Sequence, residues 1–325
     1  MSLLLFDDAR FDGHETGPSH PESSARLPAI RTALEGLVAE RPDAKPAPIS
    51  ALTLAHSERF VDALIALEGK TARLDADTLT SPGSILAARL ASGAAIQAAQ
   101  AALVGENAFV LSRPPGHHAT NEQAMGFCLF NHVAVAAAVC AQAGHRVAIF
   151  DPDVHHGNGT QDIFYSRRDV LYTSMHRFPF YPGTGAWEEQ GEGPGKGYTL
   201  NVPMPAGAGD AWYLPAFERV VLPAIERFAP DVVLLSAGFD ALQGDWLGGQ
   251  SLSISGLARM VDALASRWSV AAVLEGGYAL RELAEGARAV AGVLGGNQRG
   301  VLDPLPQAPS IWAQRLEAWQ HPLLT

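Results

Sequence analysis

The residues of this chain that are best suited to chemistry lie in five polar clusters, each directly after a short apolar run. The clusters are Arg113–His118, Asp151–Asn158, Ser174–His176, Asp240 and Glu275–Tyr278. In open α/β sheets, ligands bind beyond the carboxyl ends of the strands, where residues in such positions meet. Side chains needed only for solubility would be scattered along the chain. The pattern therefore predicts one functional site built from five strand ends.

Asp153 and His155 are two residues apart after an apolar run, a spacing suited to binding one metal ion. An extended backbone directs residues i and i+2 to the same side, so both side chains can reach one ion. Asp240, at the end of another predicted strand, is the natural third ligand. Carboxylates and imidazoles are ordinary zinc ligands, and three protein ligands with one open position are typical of a catalytic site. An isolated Asp-x-His is more often a turn with a capping carboxylate, but the other clusters favour the metal.

The adjacent residues His117 and His118 are candidates for proton transfer. Two carboxylates on one zinc make it a weaker acid for its water, so a separate base is needed. We expect one histidine to stay neutral as the base while the other is held protonated. Asp151 and Asn158 are candidate catalytic partners that fix the ring orientations. Adjacent histidines alone are more often a solvated turn, but the preceding Pro-Pro-Gly favours a rigid, closely packed loop.

Tyr278 follows two glycines, Gly276 and Gly277, which allow its loop to bring the hydroxyl over the metal. A phenol that donates a hydrogen bond to a developing oxyanion is a standard electrostatic catalyst. The alternative is a core tyrosine beside a turn, and Glu-Gly-Gly-Tyr alone would be a weak signal. Together with the metal and histidine clusters, Tyr278 is interpreted as a catalytic residue.

Six short, continuously apolar runs are predicted to be the strands that position these clusters. Continuous apolarity, rather than alternation, indicates parallel strands that are covered on both faces. The runs are Leu3–Phe6, Ala108–Leu111, Val147–Phe150, Val170–Thr173, Val232–Leu235 and Val270–Leu274. The helix-like stretches between and after them are 83–104, 130–143, 212–228, 254–267 and 279–294. This alternation predicts an α/β fold with a mostly parallel central sheet flanked by helices.

The chain is predicted to form one catalytic domain over residues 1–325. No linker rich in Ser, Gly or Pro divides it into halves. The Gly-rich stretch Gly183–Gly197 has strand-like segments and candidate site residues on both sides. It is therefore interpreted as a long surface loop within that domain.

The composition excludes several classes of protein. A net charge of −11 argues against a nucleic-acid partner, which usually needs a basic face. The two cysteines, Cys128 and Cys140, lie in apolar surroundings and are predicted to be core residues in a reducing compartment. The N-terminus lacks the basic region of a signal peptide, and no stretch approaches the roughly 20 apolar residues that cross a bilayer. We therefore expect a cytoplasmic protein with no membrane partner, and the sequence leaves a homo-oligomer open.

Six motifs resemble those of the zinc-dependent histone deacetylase and acetylpolyamine amidohydrolase superfamily. In chain order they are RPPGHHA, GFCLFNHVAVAA, DPDVHHGNGTQDIFY, YPGTG, LSAGFDAL and LEGGY. The resemblance runs from HPESSARL near the start to about residue 295, and its central motif is long and highly specific. Asn158 and the continuation GNGTQDIFY look like the class II branch with its bacterial histone deacetylase-like amidohydrolases. The fold implied is the single-domain arginase/deacetylase-like fold.

The resemblance implies roles for the catalytic residues and assigns one zinc ion to the three ligands named above. His118 is implied to be the general base, and His117 to position water and charge. In the implied mechanism, zinc and Tyr278 polarise the amide carbonyl while His118 removes a proton from zinc-bound water. Zinc and Tyr278 then stabilise the oxyanion, and a protonated histidine gives its proton to the leaving amine.

The resemblance also implies a tunnel for the acyl group and the chain that carries it. Phe127 and Tyr181 match the aromatic pair of its wall, although Tyr181 stands where Phe is more usual. Asp77 matches a rim aspartate that grips the substrate backbone, and Arg26 matches an arginine of an internal acetate-release cavity. The implied substrate-binding residues are Phe127, Tyr181, Asp77, Gly126, Leu247, Gly276 and Arg26.

A structural potassium ion is implied as a second cofactor beside zinc. Its implied ligands are the side chains of Asp151 and Ser174 and the main-chain carbonyls of Asp153, His155 and Met175. A second monovalent-ion site is implied near Phe164, Arg167 and Val170.

These residues predict an enzyme that removes acetyl or other acyl groups from amines, with an acyl-lysine as the favoured substrate. An acetylpolyamine or a small aryl amide is the alternative. Leu247 lies where polyamine-selective members carry an acidic gatekeeper, and the segment Asp75–Pro82 is short. Both features favour acyl-lysine over a polyamine.

Two other classes of protein fit the sequence less well. A binuclear manganese ureohydrolase needs further aspartates, yet position 157 is Gly157 and the segment Ser236–Asp240 supplies one carboxylate. A non-catalytic module that binds acyl-lysine would not need the full set of proton-transfer residues. Both comparisons favour a hydrolase with one zinc ion.

Overall fold

Short, buried apolar segments form a parallel sheet at the centre of this protein. A computed structural model describes residues 3–297 and 305–324. The strands in this part of the chain are β1 (Leu3–Phe6), β2 (Ala72–Arg73), β3 (Leu79–Thr80), β4 (Asn107–Val110), β5 (Val147–Asp151), β6 (Val170–Arg177), β7 (Thr199–Met204), β8 (Val232–Ala237) and β9 (Val270–Leu274). The central sheet has the order β1-β4-β9-β8-β5-β6-β7, and each neighbouring pair is parallel. Strands β2 and β3 form a separate antiparallel pair.

Helices connect the strands and cover the sheet. They are α1 (Arg26–Ala33), α2 (Ile49–Leu52), α3 (Glu58–Ile65), α4 (Ser84–Leu103), α5 (His132–Gln142), α6 (Asn158–Phe164), α7 (Asp210–Ala216), α8 (Leu222–Phe228), α9 (Ile254–Ala265), α10 (Leu280–Leu294) and α11 (Ser310–Glu317). Side-chain caps start several of them: Ser57, Asn131 and Ser253 each accept a hydrogen bond from an amide in the first turn of α3, α5 and α9. Helix α4 packs on α5, and α10 packs on both α1 and α9.

Strands β5 and β8 lie side by side, and the chain leaves them in opposite directions along the sheet. The next strand after β5 is β6 on one side, whereas the next strand after β8 is β9 on the other. Because parallel crossovers are right-handed, α6 and α9 lie on opposite faces and leave a crevice between the two strand ends. Asp153 and His155 follow β5, and Asp240 follows β8. The three predicted metal ligands therefore flank the crevice where ligands bind in sheets of this kind.

The predicted fold class is confirmed, with every predicted strand present in a parallel sheet. The sequence prediction missed β7, which pairs with β6 at the edge of the sheet and contains Pro203. Proline lacks the amide hydrogen that an inner strand needs, so it is tolerated at an edge but hides the strand pattern. The helix predicted at 212–228 is α7 and α8 joined by a π-helical turn, Phe217–Val221. The interpretation of residues 1–325 as one domain stays a prediction.

The stretch Gly183–Gly197 is a loop with one short 3-10 turn, Gly193–Gly195. Cys128 and Cys140 are both buried and unpaired. No helix within 3–297 or 305–324 is both long enough and apolar enough to span a membrane.

Gly93, in the middle of α4, allows the segment around Lys45 to pack directly on this helix. A Cβ at Gly93 would overlap the carbonyl oxygen of Lys45 and crowd the amide of Ala47, which donates to the carbonyl of Arg89 at 2.8 Å. We expect Gly93→Ala to lower the free energy of unfolding by about 1–3 kcal/mol, because this overlap outweighs the better helix propensity of alanine. Urea unfolding measures the change. The control is Gln100→Ala at an exposed position of α4. Its free energy of unfolding should lie within about 0.5 kcal/mol of the wild-type value. Equal stability of the two variants would contradict the prediction.

Candidate metal centre and active site

Asp153, His155 and Asp240 lie together in the crevice between β5 and β8. Their ligand atoms are all within 4.8 Å of one another, and all three residues are buried. Nδ1 of His155 is 3.2 Å from Oδ1 of Asp153 and 3.1 Å from Oδ2 of Asp240. Backbone amides hold the carboxylates: Val154 donates to Asp240 at 2.8 Å, and Gly276 donates to Asp153 at 2.9 Å. The structure thus brings the three predicted ligands to one point.

The chemistry of this group fits a divalent cation. Burial and the neighbouring Asp153 carboxylate raise the pKa of Asp240 to about 7. Two adjacent buried carboxylates disfavour each other's ionisation, and a cation between them removes that penalty. A Cβ at Gly276 would overlap the Asp240 carboxylate, so glycine is required for this close approach. Two carboxylates and an imidazole are ordinary ligands for zinc.

His117 and His118 sit beside this group, with their ring centroids 4.0 Å apart. Nδ1 of His117 is 3.1 Å from Oδ2 of Asp151, and Nδ1 of His118 is 2.7 Å from Oδ1 of Asn158. An amide oxygen only accepts hydrogen bonds, so Nδ1 of His118 is the donor and its Nε2 keeps a free lone pair. Asp151 and Asn158 are therefore placed to set the orientations of the His117 and His118 rings.

The pKa values of the two neighbouring histidines are shifted in opposite directions. Burial alone would lower the pKa of His117, but the carboxylates of Asp153 and Asp151 raise it to about 10. Burial, followed by repulsion from His117 and His155, lowers the pKa of His118 well below its ordinary value. These shifts favour the protonated form of His117 and the neutral form of His118, a division of roles that suits proton transfer.

Glu275 is a buried carboxylate for which sequence reasoning gave no separate role. It follows β9, and one of its oxygens accepts hydrogen bonds from the amides of Gly116 at 2.6 Å and His117 at 3.0 Å. These bonds fasten the loop that carries both histidines to the end of the neighbouring strand. The position of Glu275 directly after a predicted strand was the signal that could have revealed this role.

Tyr278 completes the group from the loop after β9. It is almost fully buried, and its ring centroid is 5.8 Å from that of Phe127. Burial and the Asp240 carboxylate raise the pKa of the Tyr278 hydroxyl well above its ordinary value. The hydroxyl therefore stays protonated at neutral pH and can act as a hydrogen-bond donor.

A pocket of about 220 Å³ opens over these residues. It is lined by Asp77, His118, Gly126, Phe127, His155, Phe180, Tyr181, Leu247 and Tyr278. Five of the seven residues predicted to bind substrate are among them. Phe180 was not predicted; its ring stacks on that of His155 with the centroids 5.3 Å apart. The sequence contained an adjacent aromatic pair, Phe180 and Tyr181, and only Tyr181 had been singled out.

Phe127 has a backbone conformation that is rare for a large residue. Its φ is 68°, in the left-handed region. Its amide donates to the hydroxyl of Thr78 at 3.1 Å, and its ring meets His20 edge-on with the centroids 4.7 Å apart. Such strain persists only where the surroundings hold it, and here it sets the pocket wall.

Arg26, like Gly276, does not line this pocket. Its guanidinium lies behind Tyr278, 5.4 Å from the ring centroid, and donates to the carbonyls of Gly277 at 2.8 Å and Glu275 at 2.5 Å. It also pairs with the buried carboxylate of Glu22, which was not predicted to have a role. Arg26 therefore supports the segment that carries Tyr278.

Of the residues predicted to bind potassium, Asp151 lies beside His117. Asp151 and Ser174 are opposite each other in the register of β5 and β6. Asp151 accepts a hydrogen bond from the hydroxyl of Tyr172 at 3.3 Å, and the hydroxyl of Ser174 is 2.8 Å from Nδ1 of His176. At the implied second site, the Arg167 guanidinium lies 4.9 Å from the centre of the Phe164 ring.

Comparisons of the sequence show its similarity to known proteins. The profile of the histone deacetylase domain matches residues 20–294. Histone deacetylase 15 of Arabidopsis thaliana is 42% identical over 311 residues, which cover 90% of this chain and 56% of that protein. The histone deacetylase-like amidohydrolase of Pseudomonas aeruginosa is 41% identical over 301 residues, which cover 88% of this chain and 78% of that protein. The chain thus spans little more than half the length of the plant relative.

The fold of this chain is also similar to that of a solved structure. The crystal structure of the HDA15 HD domain matches this chain with a TM-score of 0.91 at 39% sequence identity. The match covers 98% of this chain and 92% of that one. The likeness therefore extends over nearly the whole of this chain.

Proposed function

This chain belongs to the histone deacetylase family, and from that membership we propose that it hydrolyses acyl amides, with an acyl-lysine as its substrate. Membership confirms the resemblance that the six motifs indicated. The observation that carries the proposal is the meeting of three groups in one pocket. These are the buried metal-ligand set, of which His155 lines the pocket, and the side chains of His118 and Tyr278, which line it as well.

The metal ligands in this proposal are Asp153, His155 and Asp240, and zinc is the proposed ion. When bound, zinc would supply Lewis-acid polarisation of the amide carbonyl and of the attacking water. We propose a structural potassium ion near Asp151 and Ser174, with the carbonyls of Asp153, His155 and Met175. The whole chain, residues 1–325, would then form one catalytic domain.

The proton transfers are assigned to the chain's own residues. Nε2 of His118 would take a proton from the attacking water as a bond forms between the water oxygen and the carbonyl carbon. The hydroxyl of Tyr278 would donate a hydrogen bond to the carbonyl oxygen as its negative charge develops. A protonated histidine, His117 or His118, would give its proton to the nitrogen as the C–N bond breaks. The products are a carboxylic acid and an amine, which at neutral pH exchange a proton to become a carboxylate and an ammonium group.

The pocket walls fit a slender acylated chain. Phe127, Phe180 and Tyr181 present aromatic surfaces that pack on methylene groups and exclude water. Asp77, which also lines the pocket, is proposed to accept hydrogen bonds from the substrate backbone. The pocket volume of about 220 Å³ suits a side chain rather than a folded ligand.

A substrate panel tests this proposal. The zinc-loaded protein is assayed on acetyl-lysine peptides, longer acyl-lysines, acetylated polyamines and aryl amides, and kcat/KM is compared. We expect the highest value on an acyl-lysine peptide. A higher value on a polyamine or an aryl amide would overturn the substrate assignment, and no turnover on any acyl amide would overturn the activity.

Asn158 offers a prediction about the base. We expect Asn158→Ala to lower kcat about tenfold or more, because the ring of His118 loses the partner that fixes its tautomer and orientation. Steady-state kinetics on the best substrate of the panel measures the change. The control is Asn121→Ala, whose amide donates to the carbonyl of Ala55 at 2.9 Å outside the pocket. An unchanged kcat in Asn158→Ala would contradict the assigned role.

A further inference from the structure

Asp245 is a buried carboxylate, 4% exposed, in the loop after β8. One of its oxygens accepts hydrogen bonds from the amides of Leu247 at 2.9 Å and Gly248 at 3.2 Å. Its other oxygen accepts from the amides of Tyr278 at 2.6 Å and Ala279 at 2.9 Å. One side chain therefore satisfies four backbone donors from two different loops.

Those two loops belong to different parts of the chain, because α9 and β9 lie between them in the sequence. The first loop follows β8 and carries Leu247 on the pocket wall, whereas the second follows β9 and carries Tyr278. A buried carboxylate is costly unless its charge is met by donors, and four amide hydrogen bonds meet it here. Both pairs of bonds depend on the same group, so a shift of Asp245 would disturb both walls of the pocket.

The loop that carries Tyr278 needs such support. Gly276 and Gly277 precede the tyrosine, and Gly277 has a φ of 121°, a region open to glycine. Directly after these two glycines, the Tyr278 amide donates a hydrogen bond to Asp245. The Tyr278 carbonyl accepts from the indole of Trp246 at 3.3 Å. The backbone of Tyr278 is thus fixed on both sides by neighbours in the loop after β8.

We propose that Asp245 is a positioning residue that places the hydroxyl of Tyr278 over the reacting carbonyl. The inference rests on the proposed deacylation. The hydrogen bonds of the Asp245 carboxylate go to backbone amides and to none of the metal ligands. Its contribution comes through Tyr278, because small errors in the position of a catalytic group lower the rate strongly.

Asp245→Asn is the first test, because asparagine keeps the shape but has one acceptor oxygen. The side-chain NH₂ would then face two backbone N–H groups. Both sides would be donors, so two hydrogen bonds would be lost. We expect kcat to fall about tenfold or more. A kcat equal to that of the wild type would overturn the proposal.

A double-mutant cycle separates positioning from a general loss of structure. In the Tyr278→Phe background, Asp245→Asn should lower kcat by less than about twofold more, because no hydroxyl is left to place. If the two losses multiply instead, Asp245 does not act through Tyr278 and the proposal is wrong.

Asp210→Asn is the matched control. The Asp210 carboxylate also accepts from a backbone amide, that of Ser253 at 2.8 Å, and from the Ser253 hydroxyl at 2.7 Å. It does not line the pocket. We expect a similar loss of thermal stability with kcat within about twofold of the wild type. An equal loss of kcat in Asp210→Asn would reduce the effect of Asp245 to stability alone and overturn the proposal.

Amide hydrogen exchange, followed by mass spectrometry, gives a readout that needs no activity. In Asp245→Asn, exchange should rise in segments 246–248 and 276–279 and stay unchanged around residue 253. Unchanged exchange in the first two segments would overturn the positioning. An inactive wild type would instead refute the deacylation, so the two failures can be told apart.

Discussion

Replacement of Asp240 by asparagine is expected to remove the bound metal and to lower kcat/KM about a thousandfold or more. Asparagine can still accept the amide of Val154, which donates to Asp240 at 2.8 Å, so the loop should keep its shape. It lacks the negative charge that a divalent cation needs from this position. A metal supplies several kcal/mol of charge stabilisation in the transition state, and each 1.4 kcal/mol is about tenfold in rate.

Metal content and kinetics measured on the same sample test this expectation. The control is Asp231→Asn, at the opposite end of β8, where an exposed carboxylate accepts the amide of Arg146 at 2.8 Å. That variant should keep both its metal and its activity, because Asp231 lies at the far end of the strand from the site. An Asp240→Asn protein with full metal content and full activity would show that the metal centre is elsewhere.

Tyr278→Phe is expected to lower kcat roughly a hundredfold or more, which is the usual cost of losing one donor to the oxyanion. Phenylalanine keeps the ring that contacts Phe127, so the pocket wall should be preserved. Burial holds the pKa of Tyr278 well above neutral, and the wild-type hydroxyl is therefore a donor throughout the range of an ordinary assay. The effect should fall mainly on kcat rather than on KM.

Tyr213→Phe is the matched control for that change. Tyr213 is also fully buried, but its hydroxyl contacts the side-chain amide of Gln250 at 3.4 Å rather than the pocket. Its kcat should stay within about twofold of the wild type. Full activity in Tyr278→Phe, with metal content unchanged, would mean that another group stabilises the oxyanion.

The sequence predicted the parts of the site that depend on local spacing. Asp153 and His155 could be recognised because residues two apart after a strand share a side, whatever the rest of the chain does. Their meeting with Asp240 followed from the rule that parallel strands end at one edge. The six strands themselves could be recognised from their continuous apolarity.

Residues whose roles depend on distant partners could not be found this way. Glu22 stands between two arginines, Arg26 and Arg113, and the second is 91 positions away in the chain. Asp245 has two of its four donors 33 and 34 positions further on. Periodicity and spacing carry no information about such pairings. Phe180 was missed because the resemblance singled out only Tyr181 of the adjacent pair, although both residues line the pocket.

The order of strands in the sheet has a consequence for synthesis of the chain. Strands β1 and β4 form one pair and β5 to β7 another group, and only β8 and β9 lie between them. A growing chain that has not yet reached residue 232 therefore lacks the two strands whose hydrogen bonds join these two parts of the sheet. Both inserting strands come late, and their ends carry Asp240 and Tyr278. Ribosome-bound chains that end before residue 232 should therefore lack both the closed sheet and the complete catalytic site, and we expect them to be inactive and prone to aggregate.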